Sequence, residues 1–204
     1  QYGSLYYGDF YRTNNSWGSA TNITNNIPGG ASGAWVTPIA IDPNDANTIY
    51  IGMGTLWKST DKGNNFTSIG SMGGTLRSLA VAPSNSDVIY AATNSSIKKT
   101  TDGGSSWQTI TSGLPVSGSS IRYISIKAND ANTVWVALSG YNGNGVFEST
   151  DGGSNWNNIT AGIPNIPVNS VVQNKLETME TQLYAGTDYG VYIKNGSDNW
   201  QLYN

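Results

Sequence analysis

Short segments of alternating apolar and polar residues recur along the whole chain. A period of two is typical of β-strands that bury one face. Five of these segments resemble one another, each with an aromatic residue at its centre: 4–8, 48–52, 88–92, 133–137 and 182–186. Four of them follow another alternating segment after a turn-rich connection: 37–41, 77–81, 122–126 and 169–172. We interpret the earlier segments as first strands and the later ones as second strands of a repeat.

Two further short strands complete each repeat. The predicted third strands are 9–11, 56–58, 97–99, 146–148 and 191–193, and the clearest fourth strands are 67–69, 108–110, 157–159 and 201–203. Four antiparallel strands in about 40 to 50 residues are typical of one blade of a β-propeller. The pattern therefore predicts an all-β propeller of five repeats, the first lacking its innermost strand, in a single domain over residues 1–204.

A polar phrase, Ser-x-Asp-x-Gly-x-Asn-Trp, follows the third strand in most repeats. Its acidic residues are Asp61, Asp102 and Asp151, and the aromatic residues that end it include Trp107, Trp156 and Trp200. An Asp can accept hydrogen bonds from backbone amides just beyond it, and glycine supplies the positive φ that such a turn needs. Because a residue that recurs in every repeat is usually structural, we predict that these residues build hairpins, with the tryptophans packed between repeats.

Two degenerate copies of the phrase occupy the ends of the chain. Residues 12–17 end in Trp17, and residues 194–200 end in Trp200. We interpret both tryptophans as the aromatic ends of their copies. The five aromatic ends, at positions 17, 66, 107, 156 and 200, are then roughly 40 to 50 residues apart.

Residues 39–52 and 56–61 together resemble the Asp-box (BNR) repeats of sortilin-type and xyloglucanase-type β-propellers. The resemblance covers essentially the whole chain and implies the propeller fold, in which the first strand of each blade lines a central channel. It says little about function, because such propellers include sialidases, xyloglucanases, sorting receptors and photosystem assembly factors. Related propellers commonly have more blades, so the five repeats are either part of a larger ring or a ring that closes at five.

Composition excludes several chemistries. The chain has no Cys and no His, which removes thiol nucleophiles, a Ser-His-Asp triad and His- or thiolate-based metal sites. Net charge is −3 and only 11% of residues are charged, so no basic face for nucleic acid is expected. No apolar run is long enough to insert into a membrane. We expect no metal or other cofactor, and an exported or cell-surface bacterial protein of which Gln1 begins a mature or excised piece.

Two arginines are the best candidates for ligand binding. Arg77 and Arg122 share one position at the start of neighbouring first strands, where the resemblance places them at the channel. Two guanidinium groups on neighbouring strands predict a binding site for an anion or an acidic partner. A sialidase triad is not expected, since the third arginine, Arg12, lies on an outer strand. Trp35 and Tyr141 have no counterpart in the repeat and are candidates for stacking on a sugar ring or a partner side chain.

Two carboxylates support an alternative function as a hydrolase. Residues 183–192 match a phrase that holds one catalytic carboxylate in xyloglucanase-type enzymes, and residues 6–11 match it with a shorter loop. This resemblance nominates Asp188 and Asp9, which would approach each other only if the first and last repeats are neighbours. The expected function is a non-catalytic module that binds a glycan or protein partner. The alternatives are a fragment of a xyloglucanase-type hydrolase and a sortilin-like peptide binder.

Overall fold

The computed structural model describes residues 1–29, 32–177 and 180–203, and within these ranges the chain forms nineteen strands and two short 3-10 turns. The strands are β1 (Tyr2–Ser4), β2 (Phe10–Arg12), β3 (Thr21–Asn22), β4 (Ile39–Ile41), β5 (Ile49–Gly52), β6 (Thr55–Ser59), β7 (Thr67–Ser71), β8 (Ser78–Ala82), β9 (Asn85–Ala92), β10 (Ile97–Thr100), β11 (Gln108–Thr109), β12 (Ser120–Lys127), β13 (Asp130–Ser139), β14 (Val146–Ser149), β15 (Asn157–Asn158), β16 (Val168–Gln173), β17 (Gln182–Thr187), β18 (Val191–Asn195) and β19 (Gln201–Leu202). The 3-10 turns are Tyr6–Gly8 and Thr24–Asn26.

The strands form five antiparallel sheets, each made of strands consecutive in the chain. The first sheet is β1-β2-β3, and the other four have four strands each, with β4, β8, β12 and β16 as their first strands. These first strands contact one another in order, β4 with β8, β8 with β12 and β12 with β16. Stacked antiparallel sheets with their first strands on one axis define a β-propeller. The predicted fold is confirmed, including the missing innermost strand of the first blade.

Each pair of successive blades encloses its own hydrophobic core. The central aromatic residue of the second strand faces the next blade, and Tyr50, Tyr90 and Trp135 are fully buried there. Complete burial of an aromatic side chain contributes about 1.5–3 kcal/mol each. Blade-to-blade packing is therefore the main source of apolar burial.

The outward face of the fifth blade differs from its equivalents. Tyr184 matches Tyr50 in register but is only half-buried, with its ring 5.4 Å from that of Tyr203 in an edge-on contact. Val191 is 42% exposed, whereas Leu56, at the same register position in the second blade, is fully buried. Among the described residues no core cluster joins the first blade to the fifth. The described blades thus share four cores.

The Asp boxes are closed by their own hydrogen bonds. In the second blade the Ser59 hydroxyl donates to Asp61 Oδ1 (2.8 Å), which also accepts from the Asn65 amide (2.9 Å), while Gly63 N donates to Ser59 Oγ (2.7 Å). Asp102 and Asp151 repeat this pattern in the third and fourth blades. Hydrogen bonds to the charged form lower the pKa of all three carboxyls to about 2.

The box tryptophans join neighbouring blades. The indole Nε1–H of Trp107 donates to the Ile69 carbonyl (2.6 Å), that of Trp156 to the Ile110 carbonyl (2.9 Å) and that of Trp200 to the Ile159 carbonyl (2.6 Å). Each acceptor lies at or just after the fourth strand of the preceding blade. The indole therefore fixes the position of one blade against the previous one as well as filling space between them. Phe66, the equivalent residue in the second blade, cannot form this bond.

The predicted place of Trp17 is wrong. In the first blade Asn15 occupies the Asp position, and its Oδ1 accepts from the Ser19 amide (2.9 Å) as Asp61 does from Asn65. Trp17 lies two residues later, where the other boxes have glycine, with φ +71° and its amide donating to Thr13 Oγ1 (3.1 Å). Its ring is 48% exposed and lies against Gly3, where a Cβ would come within 2.6 Å of the indole. The turn, and not the spacing between aromatic residues, therefore sets the register of this box: Asn15 aligns with Asp61, which places Trp17 at the glycine position.

The predicted second strand of the first repeat is also misplaced. Residues 4–8 were expected to be extended, but the strand is Tyr2–Ser4 and the chain then turns through Tyr6–Gly8. The diversion is held by Gly33, whose amide donates to the Tyr7 carbonyl (2.8 Å), and by the positive φ of Gly8 (+91°). Tyr6 and Tyr7 consequently leave the sheet and become surface residues.

We expect the boxes to make stability pH-dependent in the acid range. Because folding lowers the pKa of Asp102 from its ordinary 3.8 to about 2, the carboxylate stabilises the native state above about pH 4, and this contribution is lost as pH falls through about 2. Asp102→Asn keeps an acceptor, as Asn15 does naturally, and should flatten this fall. Urea unfolding followed at pH 7, 4 and 2 measures the effect. Asp198→Asn, which removes a carboxylate without hydrogen bonds to described residues, is the control; an equal change in both variants would contradict the prediction.

A second prediction concerns the interblade hydrogen bonds. Trp156→Phe removes one Nε1–H donor and leaves the Ile110 carbonyl without it, so the free energy of unfolding should fall by about 0.5–1.5 kcal/mol for the hydrogen bond alone. Trp17→Phe makes the same chemical change at a ring without this bond and should have a smaller effect. Chemical denaturation of both variants measures the difference, and equal losses would rule out the assigned role.

Candidate ligand-binding site

The topology separates each blade into two ends. In every four-stranded blade the connection between second and third strands lies beside the start of the first strand, as the pairing of Ser120 with Ser139 shows in the fourth blade. We call this end the upper face; it comprises the second-to-third connections and the segments that lead into the first strands. The Asp boxes connect third to fourth strands and therefore lie at the opposite end.

All six residues nominated from the sequence for binding or catalysis fall on the upper face. They are Asp9, Trp35, Arg77, Arg122, Tyr141 and Asp188. The structural box residues, in contrast, occupy the lower end. Residues that repeat and residues that do not are thus sorted to opposite ends of the propeller.

Three of the nominated residues share one cleft. Trp35, Val36, Arg77 and Arg122 line a depression of about 330 Å³ over the first strands of the second, third and fourth blades. This volume is close to the lower end of the range for small-molecule sites. Tyr141 does not line this cleft, although it lies on the same face.

Local backbone structure aims Arg122 at the cleft. Arg122 is the extra residue of a β-bulge between Ile121 and Tyr123, and such bulges often redirect a side chain. The neighbouring strand is tied in place because the Ile124 amide donates to Ser78 Oγ (2.9 Å), next to Arg77. The two arginines are therefore brought to one site by a contact between β8 and β12.

Both guanidinium groups lack a partner among the residues that the structure describes. Arg77 and Arg122 are exposed, and within the described ranges neither side chain donates a hydrogen bond or forms an ion pair. Arg12 behaves differently, since its Nη1 donates to the Lys62 carbonyl (2.7 Å) of the next blade. The five donors of each free guanidinium remain available for a ligand.

An aromatic platform forms the other wall of the site. The Trp35 ring lies 4.3 Å from that of Tyr6 with a 33° tilt and 5.3 Å from that of Tyr7 in an edge-on contact. The three rings are 54–60% exposed. The Tyr7 amide donates to the Trp35 carbonyl (3.4 Å), which holds the two segments together. The sequence pattern missed Tyr6 and Tyr7 because both matched the second-strand template.

Tyr141 stands on a separate loop. Its ring is 69% exposed, and the loop is held by Ser119 Oγ, which donates to Asn142 Oδ1 (3.2 Å), and by the Gly143 amide, which donates to Asn165 Oδ1 (2.9 Å). Tyr189 of the fifth blade is 74% exposed on the equivalent loop. Exposed aromatic residues therefore extend along the upper face beyond the cleft.

The two nominated carboxylates lie in different blades with different partners. Asp9 accepts from Tyr11 Oη (3.0 Å) and from Asn22 Nδ2 (2.8 Å), and Asp188 accepts from Asn169 Nδ2 (2.7 Å). No hydrogen bond within the described part of the chain connects them. None of the core clusters formed by these residues joins the first blade to the fifth.

Neither a metal cluster nor a membrane-spanning helix is found in the parts of the chain that the structure describes. No three side chains among His, Cys, Asp and Glu there are grouped to hold a metal ion. No helix in these ranges is long and apolar enough to cross a membrane.

Fold and repeat chemistry together define an Asp-box β-propeller. The Sortilin-Vps10 family model, described as sortilin, neurotensin receptor 3, matches residues 54–194, which is more than half of the chain. The protein belongs to this family. No curated protein matches the sequence.

Solved structures of similar fold include enzymes and a peptide complex. An ancestral GH74 enzyme matches with 24% sequence identity and a TM-score of 0.74, and the match covers 99% of this chain and 29% of the enzyme chain. The GH74 xyloglucanase from Xanthomonas campestris matches with 16% sequence identity and a TM-score of 0.78, and the match covers 98% of this chain and 35% of the xyloglucanase chain. The structure of YCF48 bound to D1 peptide matches with 15% sequence identity and a TM-score of 0.62, and the match covers 97% of this chain and 62% of the YCF48 chain. The chain thus spans about a third of the GH74 structures, and these likenesses establish the fold alone.

Proposed function

We propose that the protein is a non-catalytic binding or adhesion module of a secreted or cell-surface bacterial protein, recognising a glycan or protein partner through the upper face. The observation that carries this proposal is the cleft formed by Trp35, Arg77 and Arg122. It combines an exposed aromatic ring with two cations that have no partner among the described residues.

Exposed groups of this kind favour a ligand over a structural role. A tryptophan at the surface leaves apolar area in water, and the backing rings of Tyr6 and Tyr7 keep that area in one orientation. Rigid aromatic anchors lose little conformational entropy on binding, which is why they dominate recognition surfaces. The platform therefore supports a stacking contact with a sugar or a side chain.

Charge supports an anionic group on the ligand. The chain carries a net charge of −3, yet the centre of the upper face holds two free arginines. A local positive site on an acidic protein attracts an anion, and a guanidinium holds carboxylate or phosphate through paired hydrogen bonds. A surface of Asn, Ser, Thr and Gly with few charges and no Cys supports the proposed exported bacterial setting.

The position of the carboxylates supports a non-catalytic role. An inverting hydrolase needs two carboxyl groups roughly 6.5–9.5 Å apart across one substrate site. Asp9 and Asp188 lie in the first and fifth blades, and each accepts hydrogen bonds from neutral side chains of its own blade. Xyloglucanase activity is stated for a structurally similar enzyme and peptide binding for a similar propeller, so both are alternatives to be tested.

Binding through the cleft is tested with glycan and peptide arrays. Any anionic ligand found should lose affinity by at least about tenfold with Arg77→Ala/Arg122→Ala, because two charge-assisted hydrogen-bond donors are removed. The matched control is Lys127→Ala/Lys175→Ala, which removes the same charge from a different cleft. Circular dichroism verifies folding of both variants. Unchanged binding of every ligand both in the arginine variant and in Trp35→Ala would overturn the proposed site.

Catalysis is tested separately on xyloglucan and other polysaccharides. We expect no hydrolysis above background, and no change with Asp188→Asn, because the hydrogen-bond partner shown for Asp188 is the neutral Asn169 and no hydrogen bond among the described residues links it to Asp9. Reducing-end release over extended incubation measures this. Turnover by the wild type that Asp188→Asn abolishes would establish the hydrolase instead.

A further inference from the structure

We propose that the upper-face cleft recognises acidic oligosaccharides of the uronic-acid type, with a pyranose ring stacked on Trp35 and its carboxylate held by Arg77 and Arg122. This inference rests on the proposed binding function and names its ligand class. It follows from the shape of the platform, the unused arginine donors and the groove that continues beyond Arg77.

The platform suits the flat apolar side of a sugar ring. Tyr6 lies close against Trp35 at a shallow tilt, and Tyr7 packs against it at nearly a right angle, so two neighbouring rings hold the indole in one orientation. Trp35 nevertheless remains 55% exposed. A pyranose presents C–H groups on one side and hydroxyls around its rim, which matches an open aromatic ring bordered by polar groups.

The arginines require an anion beside that ring. Both guanidinium groups line the same cleft as Trp35 and have no hydrogen-bond acceptor among the described residues. A neutral sugar would cover them without supplying a charge, whereas a carboxylate accepts the planar pair of N–H donors that a guanidinium presents. In a uronic acid the carboxylate is attached directly to the sugar ring, so stacking and ion pairing occur on one residue.

A second cleft continues from the first. Arg77 also lines a depression of about 290 Å³, whose other walls include Thr75, Thr93, Asn94 and Ser95. Apart from Arg77 this lining is uncharged and rich in hydroxyl and amide groups. Gly73 borders this depression with open space beside it, since no atom lies within 4 Å of a Cβ position there. Polar walls of this kind pair with sugar hydroxyls, and the shared Arg77 makes the two clefts one groove for more than a single sugar unit.

The test is titration of the whole protein with tri-galacturonate, following tryptophan fluorescence and heat at fixed ionic strength. The neutral comparison is the same trisaccharide with its carboxylates methyl-esterified. We expect the acid to bind at least about tenfold more tightly than the ester, because only the acid satisfies the arginines. Arg77→Ala/Arg122→Ala should reduce acid binding to the level of the ester and leave ester binding unchanged. Trp35→Ala should weaken both.

A peptide ligand is distinguished by a third probe. Hexaglutamate carries more negative charge than the trisaccharide but no sugar ring, so it should bind at least about tenfold more weakly, and Trp35→Ala should not affect it. Equal affinity for acid and ester, or tighter binding of hexaglutamate than of tri-galacturonate, would overturn the uronate inference. In either case a neutral glycan or a peptide that depends on Trp35 would leave the proposed binding function intact. The proposed binding function itself is contradicted only if no array ligand binds differently to Arg77→Ala/Arg122→Ala or to Trp35→Ala.

Discussion

The hydrogen bond from a box indole to a carbonyl of the preceding blade is the contact on which the rest of the propeller depends. Trp107, Trp156 and Trp200 each combine this bond with burial of a large ring. Hydrophobic packing alone is non-directional and permits blades to slide, whereas a directed donor fixes the distance and angle between them. The arginines of two separate blades meet in one cleft because their blades are held in this way.

The Asp-box residues and the candidate binding residues occupy opposite ends of the blades for a physical reason. The turn between third and fourth strands must close tightly, so its Ser, Asp and Gly are constrained by backbone geometry and repeat from blade to blade. The connections of the upper face share no such repeated phrase and differ in length, from two residues between β5 and β6 to six between β13 and β14. The polar loop around Tyr141 and the aromatic segment around Trp35 illustrate this freedom.

The sequence allowed the blade pattern and the shared position of Arg77 and Arg122 to be predicted, because both depend on periodicity. Trp17 was misassigned, since spacing between aromatic residues ignored the turn that positions them; the distance from Asn15 places Trp17 at a glycine position. Tyr6 and Tyr7 were hidden inside a strand-like pattern and became visible only through their contacts with Trp35. Whether Asp9 and Asp188 meet depends on how distant blades are arranged, which no local pattern specifies.

The unmatched outer face of the fifth blade has a consequence for how the protein opens. Blades that contact mainly their neighbours behave as a one-dimensional array, in which a blade with one buried interface opens more readily than a blade with two. Backbone amides of the third and fourth blades should then exchange with deuterium most slowly, and those around Tyr184 and Val191 sooner. The candidate site draws Tyr6, Trp35, Arg77 and Arg122 from four successive blades. A ligand that binds only when these blades are packed together would stabilise the packed state. It would thereby slow deuterium exchange of backbone amides in the first blade, so that opening of this blade depends on whether the site is occupied.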